Sequence, residues 1–190
     1  MKPGHTSTEE ISGWIGEIAS SDSQTAFQSL CSAYFPRLMR FTGLYLSTPA
    51  EAEEVVSDTF LSLWNKRKAL PGIAHFDSYI YSIAKNKAIS YYRSQHIEKI
   101  MVKEKEIDLF FQTETTPEEE LITKEEISRL NAAINALPDK CKTVFKLVRE
   151  DNLKYKDVAE ILDISVKTVE SHLSTAIKKL REALATKATK

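Results

Sequence analysis

An all-α chain of two small helical domains is what this sequence predicts, on three observations. Only five glycines and six prolines punctuate 190 residues, and no stretch sustains strand-like alternation between turn signals. Apolar residues recur instead at three- and four-residue spacings, which line one face of a helix. Charge is also uneven. Net charge is −1, yet residues 1–95 hold nine Lys/Arg and nine Asp/Glu, residues 96–121 three and eight, and residues 122–190 fourteen and ten. Such blocks predict two folded parts joined by an acidic linker, the second part basic, because like-charge runs without a packed core stay solvated.

Taken in order, residues 1–23 read as an amino-terminal extension, and a first domain over 24–96 holds helices near Gln24–Phe35, Pro36–Leu46, Pro49–Lys68 and Phe76–Ser94. Pro36 is read as the break between the first two, because an interior proline removes a backbone donor. Pro49 followed by Glu51, Glu53 and Glu54 is the chemistry of a helix start. The linker spans 97–121, with Pro117 as a further breaker; its Leu109, Phe110 and Phe111 are apolar for a plain tether and predict packing on a domain or docking on a partner. The second domain, 122–186, holds helices near Glu118–Ala136, Pro138–Arg149, Lys154–Leu162 and Ser165–Ala185, before a tail over 187–190. Ser165 is placed to cap the last helix.

Several function classes are disfavoured. No apolar run approaches the roughly 18 residues of a membrane span, and "MKPGHTSTEEIS" lacks a signal-peptide core, so a cytoplasmic protein without membrane insertion is expected. Cys31 and Cys141 belong to no CxxC or Cys/His cluster and read as buried small hydrophobes, with no metal or cofactor expected. His5, His75, His96 and His172 are scattered without a carboxylate or cysteine at catalytic spacing, and no phosphate-cradling glycine loop is present. An enzyme is therefore not expected.

The positive signals lie on three helices. In the last, Val169, Leu173, Ala176, Ile177, Leu180 and Leu184 form one apolar arc, and Lys167, Glu170, Ser171, Ser174, Lys178 and Arg181 a polar one. Before it, "YKDVAEIL" supplies a short helix whose Val158, Ala159 and Leu162 can pack on its neighbour, and "DIS" is the break of a helix-turn-helix. In that geometry Ser165 caps the second helix, Val166, Lys167, Thr168, Glu170, Ser171 and Ser174 face base edges, and Lys154, Lys156, Lys178, Lys179 and Arg181 meet phosphates. A second helix, "FDSYIYSIAKNKAISYYRSQ", has no acid from Ser78 through to Ile97 and interleaves Lys85, Lys87 and Arg93 with Tyr79, Tyr81, Tyr91 and Tyr92. Cations beside aromatic faces suit single-stranded nucleic acid, although about half of these tyrosines are expected to pack in a core. In the third, "PAEAEEVVSDTFLSLW", Ala52, Val55, Val56, Thr59, Phe60 and Leu63 share an arc opposite Glu51, Glu54 and Asp58, with Leu61 among the acids and Trp64 at the edge.

These stretches resemble bacterial RNA polymerase sigma factors of the extracytoplasmic-function group. The carboxyl-terminal match runs from Leu137-Pro138 through Val144-Phe145, Tyr155, Ala159, Ile164-Ser165 and Thr168-Val169 to Lys179-Leu180-Arg181, and is similar to the family's region four. Asp151-Asn152 stands where Glu-Gly is common and Asp163 where Gly is usual; both residue types tolerate a left-handed backbone. The amino-terminal half resembles region two, through the acidic helix and through Ile80, Ile83-Ala84, Asn86, Ala88-Ile89 and Arg93, with Ser90 where Asp is frequent. The resemblance implies a region-two helical bundle and a region-four helix-turn-helix domain. It also implies core RNA polymerase as partner, through the beta-prime coiled coil and beta flap, with Glu54, Asp58, Leu61 and Trp64 as contacts. It implies promoter DNA, with the minus-ten element on Tyr79, Lys85, Asn86, Lys87, Tyr91 and Arg93. In the preceding loop it implies His75, Phe76 and Asp77 as candidates for capturing an extruded base. Lastly it implies an anti-sigma factor. The alternative is a dimeric helix-turn-helix regulator that binds DNA unaided, which leaves the Tyr-rich basic helix without a role.

Overall fold

Ser7 begins the order seen in a computed structural model, which describes residues 7–97 and 124–185. Ser7 Oγ accepts from Glu10 N at 3.2 Å while Ser7 N donates to the Glu10 carboxylate at 2.8 Å, a reciprocal cap that satisfies two otherwise orphan donors. From it runs α1, Thr8–Ser21, burying Ile11, Ile15 and Ile18. The expectation that residues 1–23 are an extension is corrected here: the apolar stripe at four- and three-residue spacing packs against α2 and the 3-10 helix described below, so α1 belongs to the first unit.

Helix α2, Gln24–Thr42, starts at the Ser23 cap and ends at Gly43. It is one helix where two are expected. Pro36 sits on its exposed side, so the carbonyl that loses a donor can turn to water, while Leu30, Tyr34, Leu38 and Phe41 stay buried on the other side and hold the axis together. Helix α3, Pro49–Asn65, opens with a Thr48–Glu51 capping box and buries Ala52, Val55, Val56, Thr59, Phe60 and Leu63, the six positions its sequence pattern predicts. It stops three residues short of the expected Lys68, because Arg67–Gly72 forms a separate 3-10 helix around Pro71. Helix α4, Phe76–Ile97, packs on α2 and α3. Tyr34, Phe41, Leu63, Ile80 and Tyr81 are among the fully buried side chains of this unit.

Asp22, at the α1–α2 junction, receives Arg67 Nε at 2.6 Å and Lys68 Nζ at 2.9 Å, fastening the 3-10 helix to the end of α1. Hydrogen bonds from Arg67 first, and Lys68 second, hold its carboxyl down at about 2 from an ordinary 3.8. A lowered folded-state value favours the native state above the unfolded value and is lost as pH falls toward the folded one. Asp22→Asn should therefore lower the thermal midpoint of the full chain near pH 6, and the difference from the parent should vanish between about pH 4 and pH 2.

The second unit, within residues 112–190, contains α5 (Lys124–Asn135), α6 (Asp139–Arg149), α7 (Tyr155–Leu162) and α8 (Val166–Ala185). Helix α8 lies against all three others. Ile134, Leu137, Cys141, Ala176 and Leu180 form one cluster of its core, flanked by Ala133 and Phe145. Leu147 is 1% exposed. Leu147→Ala should cost this unit about 2–5 kcal/mol, read as a lower denaturation midpoint of its own transition. Among the described residues there is no strand, and no helix long and apolar enough to cross a membrane. Leu109, Phe110 and Phe111, and with them nearly all of the acidic linker, lie outside the described residues.

Candidate functional site

Helix α3 turns its buried stripe inward and leaves Glu54, Asp58 and Leu61 outside, with Leu61 57% exposed. A large aliphatic side chain open to water between carboxylates suits a partner that brings an apolar pocket ringed by cations. Trp64 is different. It is half-buried, with the Phe27 ring at 4.9 Å and the Arg67 guanidinium 4.7 Å from its ring centre, so it anchors α3 on α2 and offers a partner only part of its surface.

The same helix is cross-linked to α4. Lys87 Nζ lies 3.5 Å from Asp58 Oδ2, and Tyr91 lies near enough to Glu54 for that carboxylate to act on its phenol. Four-residue spacing on both helices sets the two pairs side by side along one edge. Tyr91 also packs on Leu46, Ala52, Val55 and Ala88; this burial first, and the Glu54 charge second, raise its phenol above the ordinary range. Tyr91 is thus partly buried in packing, and Tyr81 is wholly buried. Of the four tyrosines of α4, Tyr79 is half-buried and Tyr92 is 37% exposed, close to the even division expected.

Tyr79, Asn86 and Arg93 recur every seven residues and so lie along one stripe of α4, about 21 Å long. Lys85 is half-buried beside it, and His75 is exposed in the preceding loop. Phe76 and Asp77, the other two candidates of that loop, make contacts inside the unit. Phe76 is buried at 9% exposure, edge-on to Tyr34 at 5.6 Å, and the Asp77 carboxylate accepts from the Tyr34 hydroxyl at 2.8 Å and from Arg37 at 3.4 Å. Both are taken up by contacts within the unit.

In the second unit the helix-turn-helix is built as its sequence predicts. Asp163 ends α7 in the left-handed region at φ 56°, ψ 50°, and Asn152 at φ 57° turns the chain before it. Ser165 Oγ accepts from Thr168 N at 3.0 Å and lies 2.7 Å from Thr168 Oγ1. Ser165 thus caps α8 from the exposed turn, with the half-buried Thr168 hydroxyl paired to the capping oxygen. Val166, Lys167, Glu170, Ser171, Ser174, Lys178, Lys179 and Arg181 are exposed, as are Lys154 and Lys156 at the start of α7. Lys178 meets Glu182 only at 4.0 Å in an exposed pair, weak enough to open for a phosphate. Val169, Leu173, Ala176 and Leu180 fill the core arc, but Leu184, placed on that arc by periodicity, is 45% exposed one residue before the end of α8. His172 does approach a cysteine, with Nδ1 3.8 Å from the buried Cys141 Sγ, a contact across α6 and α8 that distance in sequence conceals. Cys31 is half-buried, and burial pushes its thiol up to about 11.

Two family models match the chain: Sigma-70 region 2 over residues 30–97 and Sigma-70, region 4 over residues 127–180, together more than half of its length. The chain belongs to the sigma-70 family. Among curated relatives of this sigma factor, the ECF RNA polymerase sigma-E factor of Haemophilus influenzae is 28% identical over 158 residues, covering 80% of this chain and 83% of that protein. The ECF RNA polymerase sigma factor SigW of Bacillus subtilis is 24% identical over 177 residues, covering 90% and 94%. These relatives place the sigma factor in the extracytoplasmic-function group. The fold is shared with CnrH, solved in complex with the cytosolic domain of CnrY, at a TM-score of 0.60 and 20% identity over 94% of this chain and 99% of that one. It is shared too with RpoE, solved with the anti-sigma factor NepR from Bartonella quintana, at a TM-score of 0.62 and 20% identity over 85% and 98%.

Proposed function

We propose that the two units of this sigma factor divide promoter-specific initiation between them. The region-two unit docks on core RNA polymerase through Glu54, Asp58 and Leu61, with Trp64 holding the helix that carries them. Its α4 stripe of Tyr79, Asn86 and Arg93, flanked by Lys85 and His75, receives the melted minus-ten element by phosphate attraction and stacking. In the region-four unit, Val166, Lys167, Glu170, Ser171 and Ser174 read the minus-thirty-five element, while Lys154, Lys156, Lys178 and Arg181 hold its phosphates. The observation that carries this reading is the match to both sigma-70 regions in order on one chain. A dimeric regulator acting alone needs no region-two unit.

The proposed docking acids stand beside two of the expected minus-ten residues across α3 and α4, Asp58 paired with Lys87 and Glu54 near Tyr91. Lys87 therefore contributes to the minus-ten face through its partly exposed ammonium, and Tyr91 through support. Each unit alone meets only part of a promoter, and mounting both on one polymerase surface turns weak contacts into tight ones through effective concentration. Neither unit is assigned covalent chemistry, and the site of action is the cytoplasm, where the polymerase works. Because the solved relatives CnrH and RpoE are bound by CnrY and NepR, an anti-sigma protein covering the Leu61 edge is part of the proposal.

In vitro transcription decides it. Purified chain added to core polymerase on a genomic fragment library should direct initiation from a discrete set of promoters, while the chain without polymerase should shift the same fragments only weakly. Random initiation, or tight palindromic binding without polymerase, would reverse the reading.

A further inference from the structure

Phe76 and Asp77, which follow the loop expected to handle the extruded base, are held by one turn of a different helix. From α2, the Tyr34 hydroxyl donates to Asp77 Oδ1 at 2.8 Å, and Arg37 reaches the same oxygen at 3.4 Å. The Arg37 guanidinium lies 4.9 Å from the Tyr34 ring centre and 5.6 Å from that of Tyr81, between two buried aromatic rings. Phe76 closes the cluster edge-on to Tyr34 at 5.6 Å. Burial first, and the Asp77 charge second, raise the Tyr34 phenol well above its ordinary range, so it stays a donor. At its other end the loop is tied by Ile73 N donating to Leu70 O at 3.0 Å, off the 3-10 helix. Between the two ties only Ala74 and His75 stand out into solvent.

We propose that Tyr34 and Arg37 are positioning residues for minus-ten recognition: through Asp77 they set where the 74–75 loop and the first turn of α4 stand, and so which base the minus-ten face accepts. The inference rests on the sigma reading above and assigns Asp77 a different part from the direct contact its sequence position suggests. The half-buried Asp77 carboxylate is held by a directional charge-assisted hydrogen bond from the Tyr34 hydroxyl at 2.8 Å, and Arg37, at 3.4 Å from the same oxygen, adds charge attraction. Geometry fixed in this way is what a binding pocket needs from the residues behind it.

The test uses the full chain with core polymerase on a template library randomised separately in the minus-ten and minus-thirty-five elements. Tyr34→Phe keeps the ring and deletes the hydroxyl; Asp77→Asn keeps the shape and deletes the charge. Each should broaden the minus-ten preference by about tenfold, the factor carried by one charge-assisted hydrogen bond, while minus-thirty-five preference and affinity for core polymerase stay as in the parent. In the double variant the two effects should not add, because each residue acts through the other. Additive effects would make Asp77 a direct DNA contact and overturn the inference, as would an unchanged minus-ten preference in both single variants. Joint loss of both preferences together with polymerase binding would equally overturn it, by showing a general folding role. The parent is run alongside: its promoter-directed initiation beside variants of unaltered preference sinks this inference alone, whereas its failure to initiate sinks the sigma reading and the inference with it.

Discussion

Leu61→Glu is expected to weaken binding of the full chain to core RNA polymerase by at least about thirtyfold, the scale of losing an interface hot spot of about 2 kcal/mol. The side chain is 57% exposed, so its replacement costs the fold little, and surface changes of this kind usually stay within about 0.5 kcal/mol. The loss arises at the interface instead. An aliphatic anchor is replaced by a third carboxylate beside Glu54 and Asp58, and that charge must be desolvated in the partner's pocket. Fluorescence anisotropy of the labelled chain titrated with core polymerase measures the change, with the thermal midpoint as control. Equal affinities for parent and variant would remove α3 from the docking surface.

Exchange of Lys167, Glu170, Ser171 and Ser174 together should redirect the chain to a different upstream element while leaving polymerase binding intact. All four are exposed on the amino-terminal half of α8, where a helix in the major groove meets base edges. A well-formed pairing of side chain and base discriminates by about 1–3 kcal/mol, so removing even one shifts preference about fivefold or more. Lys154, Lys156, Lys178 and Arg181 are untouched, so phosphate attraction and its salt dependence should persist. Sequencing the initiating members of a promoter library is the readout; an unchanged upstream preference would show that α8 does not read the element.

Legible along the chain is whatever a single helix determines by itself. The six buried positions of α3 and the polar arc of α8 follow from the angle between successive residues, and both appear as expected. So do the Ser165 cap and the left-handed Asp163, which depend on neighbours three residues away or fewer. Where structure and sequence pattern part, distant partners are at work. Pro36 reads as a break, but burial on both sides of it keeps α2 continuous. Which aromatics of α4 pack is not legible locally: Phe76 sits edge-on to Tyr34 and Tyr91 packs on the Leu46–Val55 cluster, both partners far off in sequence. Asp77 reads as a loop acid because nothing nearby in sequence announces Tyr34, more than forty residues earlier. Helix α1 is the exception. Its Ser7–Glu10 capping box and its Ile11, Ile15, Ile18 stripe are local signals, lying inside the segment that reads as an extension.

Helix α8 supports its domain with one arc and leaves the opposite arc, proposed to read DNA, outside the core, and the two share no residue. Val169, Leu173, Ala176 and Leu180 are held by packing, whereas Lys167, Glu170, Ser171 and Ser174 stand outside the core. On the proposed reading, substitutions on the outer arc change the surface offered to a promoter while the packed arc keeps its partners. Single changes on that outer arc should therefore leave the thermal midpoint of the unit nearly unmoved, as surface substitutions usually stay within about 0.5 kcal/mol.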